Sequence, residues 1–126
     1  ARELVESFQV FTPSINVQTK NLSGGNIQKL ILGREISDAP SVLVASHPTY
    51  GLDVGATEYL RNQLLKRRKE GGAVLLVSED LEEIHELCDK IAVIFQGEFM
   101  GVMEANDPRL KDIGLMMAGS LRLESE

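Results

Sequence analysis

A serine followed by two glycines, in the stretch NLSGGNIQKL at residues 21–30, has residue types and spacing that suit binding chemistry. Ser23, Gly24 and Gly25 precede a run that favours a helix, and the first turn of a helix leaves backbone amides without intrahelical partners. These amides and the helix dipole favour negative charge, and glycine allows close approach, so the stretch suits an anion such as a phosphate. The structural alternative is that Ser23 only caps the helix with its hydroxyl.

Possible metal ligands are few and scattered. Cys88 is the only cysteine, which excludes an internal disulfide and agrees with a cytosolic setting. His85 lies one helical turn before it, but this pair lacks the further ligands of a zinc site. His47 precedes a proline and has no second ligand at a convincing spacing. We therefore predict a structural or degenerate role for His47 rather than metal binding.

The composition indicates one globular domain, with 126 residues of which 43% are hydrophobic and 25% charged. The net charge of −6 argues against a nucleic-acid partner, which would require a basic face. No apolar run approaches the roughly 20 residues needed to span a bilayer, and the N-terminus lacks the pattern of a signal peptide. A soluble, intracellular protein is expected.

Apolar runs at 41–45, 73–77 and 91–95 predict buried strands, and helical patterns lie between them. Continuous apolar strands that alternate with helices are typical of a parallel sheet covered on both faces. The Gln-Gly turn after the third run predicts an antiparallel hairpin, and residues 107–120 predict a last short helix. The predicted class is α/β with about three parallel strands. So thin a sheet suggests the second half of a larger domain, with an exposed edge that invites self-pairing.

The motifs follow one another in a specific order, namely LSGG, helix, strand, PTYGLD, helix, strand and SEDL. This order, over about residues 20–100, resembles the nucleotide-binding domain of an ABC transporter. LSGGNIQK, GLDVGA and GLMMAGS further resemble the second ATPase half of the tandem ATPases that energise uptake of simple sugars and nucleosides. The resemblance implies a partial P-loop NTPase-like sheet of mostly parallel strands, with flanking helices and a C-terminal antiparallel hairpin.

The resemblance also assigns roles by position. In this family the signature motif contacts the terminal phosphate of ATP held by the opposing ATPase domain, and the D-loop crosses the dimer interface. The positions that match the signature motif are Leu22, Ser23, Gly24, Gly25 and Asn26. Those that match the D-loop are Gly51, Leu52 and Asp53. Asp53 has a simpler alternative role as the cap of the next helix.

Three positions depart from the family's pattern. Where such ATPases carry Asp and Glu, for the magnesium shell and the attacking water, this chain has Ser46 and His47. Serine is a weak neutral ligand for a hard cation, and a neutral imidazole brings no negative charge to the magnesium–water network. Where the family has a histidine that touches the terminal phosphate, this chain has Glu79, which would repel it. A degenerate site is therefore predicted.

Neither a GxxxxGK[ST] phosphate loop nor a glutamine loop occurs in the sequence. Either the chain is an excised C-terminal portion of one ABC ATPase domain or the gene product is a stub, and the thin sheet favours excision. Its predicted parts are the end of a helical subdomain (1–20), the signature motif and helix (21–37), the sheet core (41–103) and a C-terminal helix and tail (104–126).

The implied function is part of the ATP-binding subunit of a sugar or nucleoside importer, with the signature motif supplied in trans. ATP and magnesium belong to the full assembly, and this chain alone is expected to bind neither and to be inactive. Expected partners are a partner ATPase domain and transmembrane permease subunits, at the inner face of the cell membrane, with self-association a further option. The alternatives are an active ATPase half with His47 as base, and an interaction module that uses an exposed sheet edge.

Overall fold

The computed structural model describes residues 1–123 and divides into two compact units at the boundary between Glu79 and Asp80. The first unit contains α1 (Arg2–Ser7), a 3-10 turn (Thr19–Asn21), α2 (Gly24–Ser37), β1 (Val42–Ser46), α3 (Val54–Lys69) and β2 (Ala73–Val77). The second unit contains α4 (Leu81–Leu87), β3 (Lys90–Phe95), β4 (Glu98–Glu104), a 3-10 turn (Pro108–Asp112) and α5 (Ile113–Met117). None of the helices within residues 1–123 combines the length and apolar character that a membrane crossing demands.

In the first unit, β1 and β2 form a parallel pair that runs in register from Val42 opposite Ala73 to Ser46 opposite Val77. Helix α3 packs against β2, and α2 packs against both α1 and α3. Buried apolar side chains on these elements form the core: Leu32, Leu43, Ala56, Leu60 and Leu64. Because side chains alternate along a strand, the opposite face of the pair is exposed, and it carries Val42, Val44, Leu75 and Val77.

A buried arginine joins the end of α3 to the connection between α2 and β1. Arg67 is only 7% exposed, and its guanidinium donates to the carbonyl oxygens of Ala39 and Pro40. A guanidinium carries five N–H donors in one plane, so it can bind two neighbouring carbonyl oxygens of a loop at once. Gly72, just beyond the helix, leaves the space that this side chain occupies, since a Cβ there would collide with the Arg67 guanidinium.

In the second unit, β3 and β4 form an antiparallel hairpin with a register shift between Val93 and Ile94. Gln96 and Gly97 make the turn with φ of 49° and 83°, the positive values that a tight two-residue hairpin turn requires. Helix α5 packs against β3. The core consists of buried apolar side chains from the hairpin and the C-terminal turns: Ile91, Val93, Met100, Met103, Leu110, Ile113 and Met116.

The α/β class, with a parallel pair, flanking helices and a C-terminal antiparallel hairpin, is confirmed. The third apolar run was predicted as a parallel strand and as the first strand of a hairpin, and within residues 1–123 only the hairpin pairing is present. It forms β3, which pairs antiparallel with β4. The Gln96–Gly97 turn brings β4 back beside β3, as the Gln-Gly pair in the sequence predicted.

Candidate functional site

Helix α2 begins at the serine and glycines singled out in the sequence. Ser23 has extended backbone angles, and its hydroxyl oxygen accepts a hydrogen bond from the amide of Asn26 at 3.4 Å. The Ser23 carbonyl accepts from Ile27 at 2.9 Å, which closes the first turn. Among the described residues, the amides of Gly24 and Gly25 have no hydrogen-bond partner. The predicted cap is therefore present, and it leaves two backbone donors available.

The side chain of Asn26 joins the start of α2 to the segment that follows α1. Its Oδ1 accepts from the amide of Phe11 at 2.7 Å, and its Nδ2 donates to the Ser23 hydroxyl oxygen at 2.9 Å. Asn26 is thus bonded to the cap through both its backbone and its side chain. Leu22, the first residue of the predicted signature motif, is half-buried and extended just before the cap.

The residues that match the D-loop form a turn that leads directly into α3. Leu52 donates to the carbonyl of Thr49 at 3.1 Å, and Gly51 has a positive φ of 72°. The Asp53 carboxylate accepts from the amide of Ala56 at 2.9 Å and caps α3. The capping role that the sequence offered for Asp53 is therefore present. An interface role in addition stays a prediction.

The starts of α2 and α3 lie beside one another and line an open cavity of about 350 Å³. A Cβ placed on Gly25 would lie 3.1 Å from the Ala56 Cβ and 3.8 Å from an oxygen of Asp53. The structure therefore brings together Ser23, Gly25 and Asn26 of the predicted signature motif with Asp53 of the predicted D-loop. The predicted signature motif and the predicted D-loop are far apart in the sequence, so their separation alone could not predict that they lie close together.

Two side chains that the sequence did not mark also line this cavity. The Lys29 ammonium lies 4.7 Å from the centre of the Tyr59 ring and 3.4 Å from the carbonyl oxygen of Gln9. The Tyr59 hydroxyl donates to the Ser7 carbonyl at 3.4 Å, and burial raises the pKa of this phenol. A cation on an aromatic ring favours the contact by about 0.5–1 kcal/mol at an exposed site. No local sequence pattern predicts the contact between Lys29 and Tyr59, because it depends on how α2 packs against α3.

Ser46, His47 and Glu79 do not line this cavity. Ser46 ends β1, and the backbone of His47 continues the ladder by donating to Val77 at 2.8 Å. His47 then turns the chain with a positive φ of 45°, a sparsely populated conformation for a side chain with a Cβ. The side chains of all three are exposed. Within residues 1–123 no group of three or more His, Cys, Asp or Glu side chains could hold a metal ion.

Several ATP-binding import proteins match nearly the whole chain. The guanosine import ATP-binding protein NupO of Bacillus subtilis is 46% identical over 125 residues, which cover 99% of this chain and 24% of NupO. The glucose import ATP-binding protein TsgD13 of Haloferax volcanii is 47% identical over 121 residues, covering 94% of this chain and 22% of the relative. The chain thus spans about a quarter of the length of these relatives. No protein-family model matches it.

Two solved structures share the fold at lower identity. An ATP-binding subunit of an ABC transporter superposes with a TM-score of 0.79 at 18% identity, covering 92% of this chain and 52% of that one. A dimeric, post-hydrolysis ATP-binding cassette bound to ADP and phosphate gives a TM-score of 0.73 at 22% identity, covering 84% and 46%. At this identity the likeness concerns the fold alone. The import proteins confirm the resemblance that the motifs indicated, and the structures agree in fold. Over nearly its whole length, this chain is a relative of a segment of the ATP-binding subunits of ABC importers for nucleosides and sugars.

Proposed function

We propose that this chain is part of the ATP-binding subunit of a nucleoside or sugar importer and presents its signature motif to ATP held by a partner ATPase domain. The observation that carries the proposal is the start of α2, where the Ser23 hydroxyl and two unpartnered amides lie together on an exposed turn. The partner's nucleotide would place its terminal phosphate against these donors. The motif order and the similarity to import ATP-binding proteins support the same role.

The chemistry of this turn suits a phosphate. The turn offers hydrogen-bond donors, and the 14-residue helix behind it adds the positive end of its dipole. Its first turn carries no acidic side chain that would oppose an anion. Nothing lies within 4 Å of a Cβ built on Gly24, so a phosphate oxygen can approach that backbone directly. The nearby Asp53 carboxylate is engaged as the cap of α3.

The chain's own catalytic positions do not fit magnesium. Ser46, His47 and Glu79 are exposed, and together they supply one carboxylate where a magnesium site for ATP needs hard oxygen ligands held in place. We therefore assign no hydrolytic step to these residues. ATP and magnesium act at the partner's site, and this chain's contribution is to bind and orient the terminal phosphate.

The proposed partners follow from the same arrangement. An opposing ATPase domain would meet the signature motif and the exposed turn of Gly51, Leu52 and Asp53. Permease subunits would hold the assembly at the inner face of the cell membrane. The import function in the names of the relatives supports the permease, and the dimeric cassette with the same fold supports the ATPase pair.

The test measures magnesium-dependent ATP turnover by the complete natural polypeptide that carries these residues. Ser23→Ala is expected to lower turnover at least tenfold, because the serine hydroxyl acts at the transferred phosphate. Ser41→Ala, an exposed serine beside β1, is the matched control and is expected to leave it unchanged. His47→Ala should also have no effect. Unchanged turnover in Ser23→Ala would overturn the proposal, and loss of turnover in His47→Ala would favour the active half with His47 as base.

A second candidate is an interaction module, favoured by the bare apolar face of the β1–β2 pair. Val42, Val44, Leu75 and Val77 are between 46% and 64% exposed on that face, whereas parallel strands are ordinarily covered on both faces. On this hypothesis a second copy of the chain covers it. Sedimentation velocity should then detect association that rises with concentration, is weakened by Val44→Lys and is unaffected by Ile15→Lys on an exposed residue outside the sheet. A monomer at every concentration would count against it.

A further inference from the structure

The orientation of the Asn26 side-chain amide is fixed by its surroundings. The backbone N–H of Phe11 can only donate, so the atom 2.7 Å from it must be the amide oxygen of Asn26. The amide nitrogen then faces the Ser23 hydroxyl oxygen at 2.9 Å and donates to it. Exchanging the two atoms would place donor against donor at Phe11.

This orientation determines what the Ser23 hydroxyl can still do. A serine hydroxyl has two acceptor lone pairs and one proton. Its oxygen accepts from the side-chain nitrogen of Asn26 at 2.9 Å and from the backbone nitrogen of the same residue at 3.4 Å. Both acceptor sites are therefore engaged within the helix turn. The proton is the one hydrogen-bonding function that remains for a ligand.

We infer that Asn26 is a positioning residue that makes the Ser23 hydroxyl an obligate donor, so that the site accepts only an ionised phosphoryl oxygen. This inference rests on the proposed function of the signature turn. It specifies that turn's ligand chemistry, because a protonated phosphate oxygen or a ligand hydroxyl that must donate finds no acceptor at Ser23. Asn26 acts through Ser23 and is not itself assigned a contact with ATP.

A purely structural role for Asn26 makes a different prediction. The residue also ties α2 to Phe11, and loss of that tie alone would loosen the turn. Asn26→Asp separates the two roles, because a carboxylate still accepts from the Phe11 amide but cannot donate to Ser23. It instead accepts the Ser23 proton, which turns a lone pair of the hydroxyl toward the phosphate. Asn26→Ala removes both bonds and leaves the hydroxyl free to rotate.

The experiment measures kcat and KM for magnesium-dependent ATP turnover by the complete natural polypeptide. Asn26→Asp should lower kcat about thirtyfold and Asn26→Ala about three- to tenfold, less than the roughly hundred- to thousandfold loss on removal of an oxyanion donor, because the Ser23 hydroxyl is retained in both. Gln28→Glu adds the same negative charge two residues further along α2, and its kcat should stay within about twofold of that of wild type. Asn26→Gln, which keeps both polar functions, should recover more activity than Asn26→Ala.

Two further variants keep the inference falsifiable. Phe11→Pro removes the N–H that ties Asn26 while retaining its donation to Ser23, so its effect should be smaller than that of Asn26→Asp; the Phe11 side chain itself is 87% exposed. In a Ser23→Ala background, Asn26→Asp should lower kcat no further than Gln28→Glu does. Should Asn26→Asp fail to fold, Phe11→Pro is compared with Asn26→Ala and should be the milder of the two, because only Asn26→Ala loses the donation to Ser23.

The contrary outcomes are distinct. The inference is overturned if Asn26→Ala or Phe11→Pro is more damaging than Asn26→Asp, or if the Ser23 and Asn26 effects simply multiply. Such a result, with Ser23→Ala still strongly impaired, leaves the proposed function standing. If Ser23→Ala is as active as wild type, the proposed function fails and the inference fails with it.

Discussion

The Cβ of Ala56 lies 3.1 Å from where a Cβ of Gly25 would be, so the first turns of α2 and α3 meet in near contact. Gly25 therefore has a role besides exposing its amide, because it lets the two helix starts lie together. Ala56 is buried and held in α3, whose cap is Asp53. A displacement of the first turn of one helix would therefore displace the first turn of the other. The position of the backbone amide donors at the start of α2 thus depends on α3.

The first prediction concerns this contact. Gly25→Ala should lower the free energy of unfolding by about 1 kcal/mol, because the added methyl group would crowd the Cβ of buried Ala56, which is fixed to the α3 backbone. Gly24→Ala, one residue earlier and facing open space, is the matched control and should raise it by about 0.5 kcal/mol through lower backbone entropy in the unfolded chain. Urea denaturation measures both. Equal effects from the two substitutions would show that the contact with Ala56 has no energetic weight.

The second prediction concerns the buried guanidinium of Arg67. Arg67→Ala should lower the free energy of unfolding by about 2–4 kcal/mol, since the carbonyl oxygens of Ala39 and Pro40 lose charged donors in a buried position. Arg67→Lys should recover only part of this, because an ammonium cannot reproduce the planar fork. Lys69→Ala, exposed in the same last turn of α3, is the control and should cost less than about 1 kcal/mol. A loss in Arg67→Ala no larger than in Lys69→Ala would contradict the assigned role.

The third prediction compares neighbouring glutamates in the first turn of α4. Glu83 is fully buried, and neither of its carboxylate oxygens has a hydrogen-bond partner within residues 1–123. Burying an unpaired charge costs several kcal/mol, which exceeds the roughly 0.5 kcal/mol that a carboxylate gains at a helix N-terminus. Glu83→Gln should therefore raise the free energy of unfolding by about 1 kcal/mol. Glu82→Gln, at an exposed position, should lower it slightly through the dipole term alone. Changes of the same sign in both, measured by urea denaturation, would refute this account.

The parts of the fold that could be predicted from sequence are those encoded locally. Ser23 and Asp53 were identified as helix caps from residue type and position, and both accept the expected amides. The antiparallel pairing of β3 with β4 was predicted from the Gln-Gly turn and is present, whereas the predicted parallel pairing of β3 is not found within residues 1–123, because an apolar run does not specify its neighbour. Lys29 and Tyr59 were missed because their contact joins two helices that are distant in sequence. The features of the site that lie within a single turn could thus be predicted from sequence. Those that depend on the packing of two helices could not.

The last prediction is a pH dependence that arises at the 3-10 turn after β4. The Arg109 side chain donates to the Asp107 carboxylate, and the Arg109 backbone amide does the same, so the pKa of Asp107 falls from its ordinary value of 3.8 to about 2. Because the folded-state pKa lies below the unfolded one, folding favours the ionised form. The contribution to stability is complete above about pH 4 and is lost as the pH falls toward 2.

Asp107→Asn cannot ionise, so its free energy of unfolding should fall less steeply than that of wild type between these pH values. Arg109→Gln removes the side-chain donor and should reduce the slope in the same direction. Urea denaturation at several pH values measures the slopes, and parallel curves for all three proteins would exclude this ion pair as a source of acid sensitivity.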